Sequence, residues 1–250
     1  MTARYLLDEA TAQQLETARR MNDRDVGFTL ATLARLGAVT VTEDSAELTV
    51  VGRAGIRRLR GEPEPGDPVH PITVTLGEVA DSPVWRRLLI PAAMSLRQLH
   101  DVLQVAMGWQ DSHLHCFTDG QHTWGVPDLE LAFIDERSVR FGDLDLGNGG
   151  RQYTYDFGDD WEHYIVVESV RAATEGERYP RCIDGGGACP PEDCGGPPGY
   201  EHLREVLADP GDEEHDEMLT WLGLDRADEF DPAAFDIEAV NRRLAAVGSP

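Results

Sequence analysis

Lysine is absent from this 250-residue sequence: all 22 basic side chains are arginine. That excludes a lysine Schiff base, a phosphate-loop lysine and the phosphate-pairing lysine of protein kinases. Basic charge is scarce as well, with 22 residues against 46 acidic ones and a formal net charge of −24. So negative a chain is unsuited to nonspecific binding along a nucleic-acid backbone, which rewards positive charge. Long apolar runs are missing, and no segment reaches the ~18 consecutive apolar residues of a membrane span. The opening MTARYLLDEATAQQLE has neither a basic-then-apolar signal pattern nor a small-residue cleavage site. A cytoplasmic location and no membrane contact are therefore expected. Cysteine is sparse: Cys116, Cys182, Cys189 and Cys194 are the four present. In a reducing compartment they are expected as thiols or metal ligands, not disulfides. No Gly-x-Ser-x-Gly elbow and no His-Glu-x-x-His pair occurs.

What is present is unevenly placed. Residues 1–62 hold nine arginines and nine acids and are neutral, while the remainder carries 13 basic and 37 acidic residues, the whole excess of 24. The proline- and glycine-rich GEPEPGDPVHP, 61–71, separates the two. This predicts an N-terminal segment over 1–62, a linker over 63–71 and a main domain over 72–250. In the first segment, helical spacing runs from Asp8 to Met21 and from Phe28 to Leu36, closed by Gly37. AVTVTEDSAELTVVG then alternates around a turn, as a hairpin does, and Arg57, Arg58 and Arg60 fall on a short helix. Helix, hairpin and trailing arginines are winged-helix-like. The alternative is a small docking module with solvated arginines. DNA contact, if there is any, is expected only through this segment.

Beyond Pro71 the pattern is α+β, mainly an antiparallel sheet with packed helices. ITVTLGEV (72–79) alternates with period two, VWRRLLIP (84–91) is a second strand, and Ser95 is the expected N-cap of a helix from Leu96 to Met107. HLHCFTDG (113–120) reads as strand and turn. RQYTYDF and WEHYIVVESV, joined around Gly158-Asp159-Asp160, form the clearest hairpin. A glycine-, proline- and cysteine-rich loop is expected over 179–199, and helices near 200–208, 214–222 and 236–246.

Two constellations carry chemistry. Cys182, Cys189 and Cys194 lie close together, the last two spanning a proline-stiffened turn that ends in Gly195-Gly196. Three thiols with a fourth ligand make a closed structural zinc site. His163 is the first candidate for that ligand, with Cys116 and His115 as alternatives. Three reduced loop cysteines are the competing reading. The second constellation is YDFGDDWEHY (155–164) together with His113 and His115, which share a strand face at i, i+2. His113, His115, Asp156 and Asp159 are candidates for a metal site or an acid/base pair. The competing reading gives Asp159 and Asp160 to the turn and makes His163 a half-buried strand residue.

Four separated motifs, VWRRLLIP…LRQLHDVLQVAMGWQDSHLHCF, YTYDFGDDWEHYIVVE, YPRCIDGGGACPPEDCGGPPGY and FDPAAFDIEAVNRRL, occur in order. Over about 72–247 the chain resembles the plasmid pRiA4b ORF-3-like family. The resemblance implies an α+β domain and an association with mobile genetic elements, but no established activity. It points to His113, His115, Asp156, Gly158, Asp159, Trp161, His163, Cys182, Cys189, Pro190, Glu192, Asp193, Cys194, Gly195, Gly196 and Tyr200. Two functions follow as expectations. One is an accessory or binding protein with a zinc-stabilised cysteine loop and a protein partner. The other is a metal-dependent hydrolase using the His/Asp cluster.

Overall fold

The computed structural model describes residues 23–42, 45–52, 55, 62–79, 83–128, 130–144 and 151–247. The chain divides into two compact units, Met1–Glu62 with Gly248–Pro250, and Pro63–Val247.

In the first unit, helix α1 (Asp23–Arg35) runs into Gly37, whose φ of +71° is the left-handed conformation that ends a helix. Strands β1 (Val39–Val41) and β2 (Ala46–Leu48) then pair antiparallel, Val39 opposite Leu48. The hairpin is where the alternation put it. The expected winged helix is not supported: the described residues give the helix Asp23–Arg35, a hairpin of three-residue strands and helical residues at 50–52 and 55. The helix expected over Asp8–Met21 and the arginines Arg57, Arg58 and Arg60 lie outside the described residues.

The second unit is α+β, built on one nine-stranded sheet. Its strands are β3 (Pro68–Leu76), β4 (Trp85–Pro91), β5 (His115–Thr118), β6 (Thr123–Gly125), β7 (Ile134–Asp135), β8 (Arg151–Tyr155), β9 (Trp161–Val167), β10 (Arg171–Ala172) and β11 (Arg181–Gly186). The order is β11-β4-β3-β9-β8-β5-β6-β7, with β10 pairing β3 beside that path. Every pair is antiparallel except β6 with β7.

Period-two alternation sets the faces of the central hairpin. Tyr153, Tyr155, Trp161, His163 and Ile165 point into the core, while Tyr164 and Val166 stay half exposed on the other side. Helix α2 (Leu96–Met107) covers the inner face with Leu96, Leu99, Val102, Leu103 and Ala106, all fully buried and each contributing roughly 1.5–3 kcal/mol if large. Ser95 caps it through a capping box with Gln98. Three helices follow: α3 (Gly196–Ala208), α4 (His215–Leu222) and α5 (Ile237–Leu244). Helix α5 packs on α2 and β11, and the Asn241 amide exchanges two hydrogen bonds of 2.9 Å with the backbone of Cys182.

Several boundaries differ from the sequence pattern, two of them in the sheet. Pro68 to Pro71, read as linker, open strand β3, because Val69 is fully buried and paired with both Pro91 and Arg171. The cysteine loop contains β11: Gly185 and Gly186 break the apolar pattern yet pair with Arg86 and Trp85. Glycine is needed at Gly185, since a Cβ there would sit 2.5 Å from the Phe235 ring.

Candidate metal centre

The loop after β11 folds back on the β8–β9 turn. The Gly195 amide donates to Asp159 Oδ2 at 3.1 Å, and the Trp109 indole donates to the Pro190 carbonyl at 3.0 Å. A Cβ on Gly196 would lie 2.3 Å from the Asp159 carbonyl oxygen, so the approach depends on glycine. This docking brings Asp193 to the residues between α2 and β5.

Among the described residues, two groups of three potential ligands have their ligand atoms within 4.8 Å of one another: His113 with Asp156 and Asp193, and His100 with Asp111 and His115. They differ in how their polar atoms are used.

The His100 group is closed on itself. Tyr153 donates its hydroxyl to His100 Nδ1 at 2.8 Å, and His100 Nε2–H donates to Asp111 Oδ1 at 2.8 Å. The Gln104 amide donates to the Tyr153 hydroxyl oxygen, and its carbonyl accepts from the Asp111 amide, both at 3.0 Å. These four bonds form a ring, and they select the neutral Nε2–H tautomer of His100. His115 stacks on His100 with centroids 3.4 Å apart and planes at 10°, and bonds Glu136 at 2.7 Å through Nε2. Burial, with His115 adding to it, lowers the His100 pKa to about 3. Burial pushes the Asp111 carboxyl upward, but His100 and Arg97 outweigh it and hold the group below its ordinary range. Lone pairs in two stacked rings run parallel. An ion between them would lie ~1.7 Å out of each plane, most of a ~2.0–2.1 Å metal–nitrogen bond. This group is a saturated polar core.

The His113 group is open. His113 Nε2 lies 3.0 Å from Asp193 Oδ1 and 3.5 Å from Asp156 Oδ2, yet neither contact has hydrogen-bond geometry and the nitrogen has no hydrogen-bond partner. Asp156 and Asp193 hold left-handed backbone, φ 57° and 59°. Asp156 Oδ1 is occupied by the Gly158 and Asp159 amides, which frees Oδ2 for His113. Side-chain exposure is 29% for His113, 11% for Asp156 and 69% for Asp193, so the group opens to solvent on the Asp193 side.

The other sequence candidates lie elsewhere. His115 belongs to the closed group, and Asp159 caps the loop amide. The turn bonds expected of Asp159 and Asp160 are made by Asp156. His163 is fully buried: its Nδ1–H is shared between the Trp161 and Tyr153 carbonyls at 3.0 and 3.2 Å, and its Nε2 has no partner. Burial lowers its pKa to about 4. Cys182, Cys189 and Cys194 are in neither group. Burial raises all three thiols, Cys194 to about 12. The residues missed from the sequence were His100, Asp111 and Glu136. The signal was there for one: His100 and Gln104 are polar at i, i+4 within the apolar stripe of α2.

The segments carrying both groups fall within residues 69–239, which match the family model of plasmid pRiA4b ORF-3-like proteins. The chain belongs to that family. An uncharacterised family relative from Sinorhizobium fredii (strain NBRC 101917 / NGR234) is 41% identical over 177 residues, 69% of this chain and 89% of its own. The crystal structure of a protein of unknown function from Methanosarcina mazei Go1 superposes with a TM-score of 0.62 at 33% identity, covering 69% of this chain and 97% of that one. The first unit of this chain lies outside the family match. No helix among the described residues is long and apolar enough to cross a membrane.

Proposed function

We propose that this pRiA4b ORF-3-like protein binds a divalent metal ion through His113, Asp156 and Asp193 and uses it for hydrolysis. The observation that carries the reading is the spacing around His113 Nε2. Two ligands bonded to one ion at ~2.1 Å stand ~3.0 Å apart when adjacent in an octahedron and ~3.4 Å apart in a tetrahedron. The distances here are 3.0 and 3.5 Å, between atoms that make no hydrogen bond to each other. One imidazole and two carboxylates suit zinc, manganese or ferrous iron. Three protein ligands leave coordination positions for water, whose acidity the ion raises, and that is the basis of metal-assisted hydrolysis. Metal analysis of purified protein, followed by chelation and assay on ester and phosphoester panels, tests it. Activity that chelation abolishes and the ion restores supports the reading, and a metal-free protein that no divalent ion stabilises refutes it.

A second reading keeps a structural zinc on Cys182, Cys189, Cys194 and His163. Its support is Arg86, buried at 3% exposure with its guanidinium on the carbonyls of Ala106, Trp85 and Gly186 and no carboxylate partner among the described ion pairs. Cys182 and Cys189 are its electrostatic neighbours. A three-thiolate, one-histidine zinc site carries net negative charge and supplies the missing counter-charge. Zinc lost from Cys189→Ser but kept by His113→Ala favours this reading over the first. An accessory role and a tie to mobile elements rest on the family resemblance, and a protein partner on the net charge of −24.

A further inference from the structure

We infer that Tyr155 is the positioning residue of the His113–Asp156–Asp193 centre, one hydroxyl setting the spacing of all three ligands; this rests on the metal-binding reading above. The Ser112 amide donates to the Tyr155 hydroxyl oxygen at 2.9 Å, and that hydroxyl donates to Glu192 Oε1. Ser112, Tyr155 and Glu192 each immediately precede a ligand: His113, Asp156 and Asp193. Consecutive Cα atoms are ~3.8 Å apart, so a brace joining the three residues fixes the three ligand backbones one step further on. The Asp156 amide donates to the Leu114 carbonyl at 2.9 Å, which ties two of the ligand segments directly; no hydrogen bond reaches His113 Nε2, and the brace adds the Asp193 segment.

The neighbours of the hydroxyl keep the brace rigid. The Tyr155 ring is fully buried, stacks on Trp109 at 4.9 Å and meets the His113 ring edge-on at 5.8 Å. Glu192 Oε2 accepts from the Gln110 amide at 3.1 Å, so both carboxylate oxygens are committed to holding the loop. Each Glu192 oxygen accepts one hydrogen bond within the brace, and the Tyr155 hydroxyl both accepts and donates one. They act through the ligands they position.

The test is Mn2+ binding, read by electron paramagnetic resonance of the free ion, on the wild type, Tyr155→Phe, Glu192→Gln and Glu192→Ala. Phenylalanine keeps the ring stacked on Trp109 and removes only the hydroxyl. Loss of a group that orients metal ligands weakens affinity by about 10–100-fold, and that is the expected change for Tyr155→Phe and Glu192→Ala. Glu192→Gln retains an acceptor for the Tyr155 hydroxyl and should recover most of the affinity. Wild-type affinity in Tyr155→Phe overturns the inference and leaves the metal reading standing. A wild type that binds no Mn2+ overturns both. Should Tyr155→Phe fold poorly, Glu192→Ala breaks the brace from the loop side and decides alone.

Discussion

His100 and His115 stack face to face, with ring centroids 3.4 Å apart and planes 10° from parallel, in the core of the domain. Two imidazolium charges at that separation would repel strongly in a low-dielectric interior. Carboxylates surround the pair: Arg97 binds Asp101 and Asp111 at 3.0 Å each, and Asp111 and Glu136 accept hydrogen bonds from the Nε2–H groups of His100 and His115.

The stack predicts an acid-labile fold. Burial holds the native His100 pKa at about 3 against 6.5 for the free side chain. Between those values the unfolded chain carries a proton on His100 that the native chain refuses, so stability falls as pH drops from 6.5 toward 3 and levels off below. The slope from this one group reaches up to about 1.4 kcal/mol per pH unit. Urea unfolding at a series of pH values should show one proton fewer taken up by His100→Phe than by the wild type. Equal slopes would contradict the assignment.

The capping box on α2 gives a second, smaller prediction. The Gln98 amide donates to Ser95 Oγ at 3.2 Å and the Ser95 amide to Gln98 Oε1 at 2.9 Å. Ser95→Ala should cost about 1 kcal/mol in chemical denaturation, without altering metal affinity.

Gly196 ties stability to the metal centre. Its φ of +68° strains any other residue, and a Cβ would meet the Asp159 carbonyl at 2.3 Å. Gly196→Ala should lose on the order of 1–3 kcal/mol from backbone strain and displace Asp193 from His113. Both a lower melting temperature and weaker Mn2+ binding are expected; lowered stability with unchanged binding would mean that the loop docks without this contact.

After deletion of residues 1–62 the remaining chain should still fold and unfold cooperatively, because Pro63–Val247 is a compact unit with its own core. Differential scanning calorimetry of the truncated chain checks this, and the absence of a cooperative transition would contradict it.

Much of the fold was legible in the residues. The β8–β9 hairpin follows from strict alternation, and α2 follows from Ser95 and the spacing of Leu96, Leu99 and Leu103, signals that are local. Strand β11 was hidden because its glycines are chosen for close approach to Phe235 and Trp85, contacts that exist only after folding. The winged helix was over-read from a hairpin and arginines that are common to many small modules. The site was legible in part. His113 and Asp156 were named from residue type, but Asp193 becomes a partner only when the cysteine loop docks, and His115 leaves the group because the strand turns it toward His100. The thiol loop docks on the turn of the β8–β9 hairpin through Gly195 with Asp159, but Cys182, Cys189, Cys194 and His163 do not come together as a group of ligands.

Calorimetric titration of the metal-free protein with Mn2+ and Zn2+, in parallel with His113→Ala and Cys189→Ser, bears most directly on the metal centre. Tight uptake of one ion by the wild type and by Cys189→Ser, abolished in His113→Ala, is the predicted result. Uptake undiminished in His113→Ala, or none in the wild type, would contradict it.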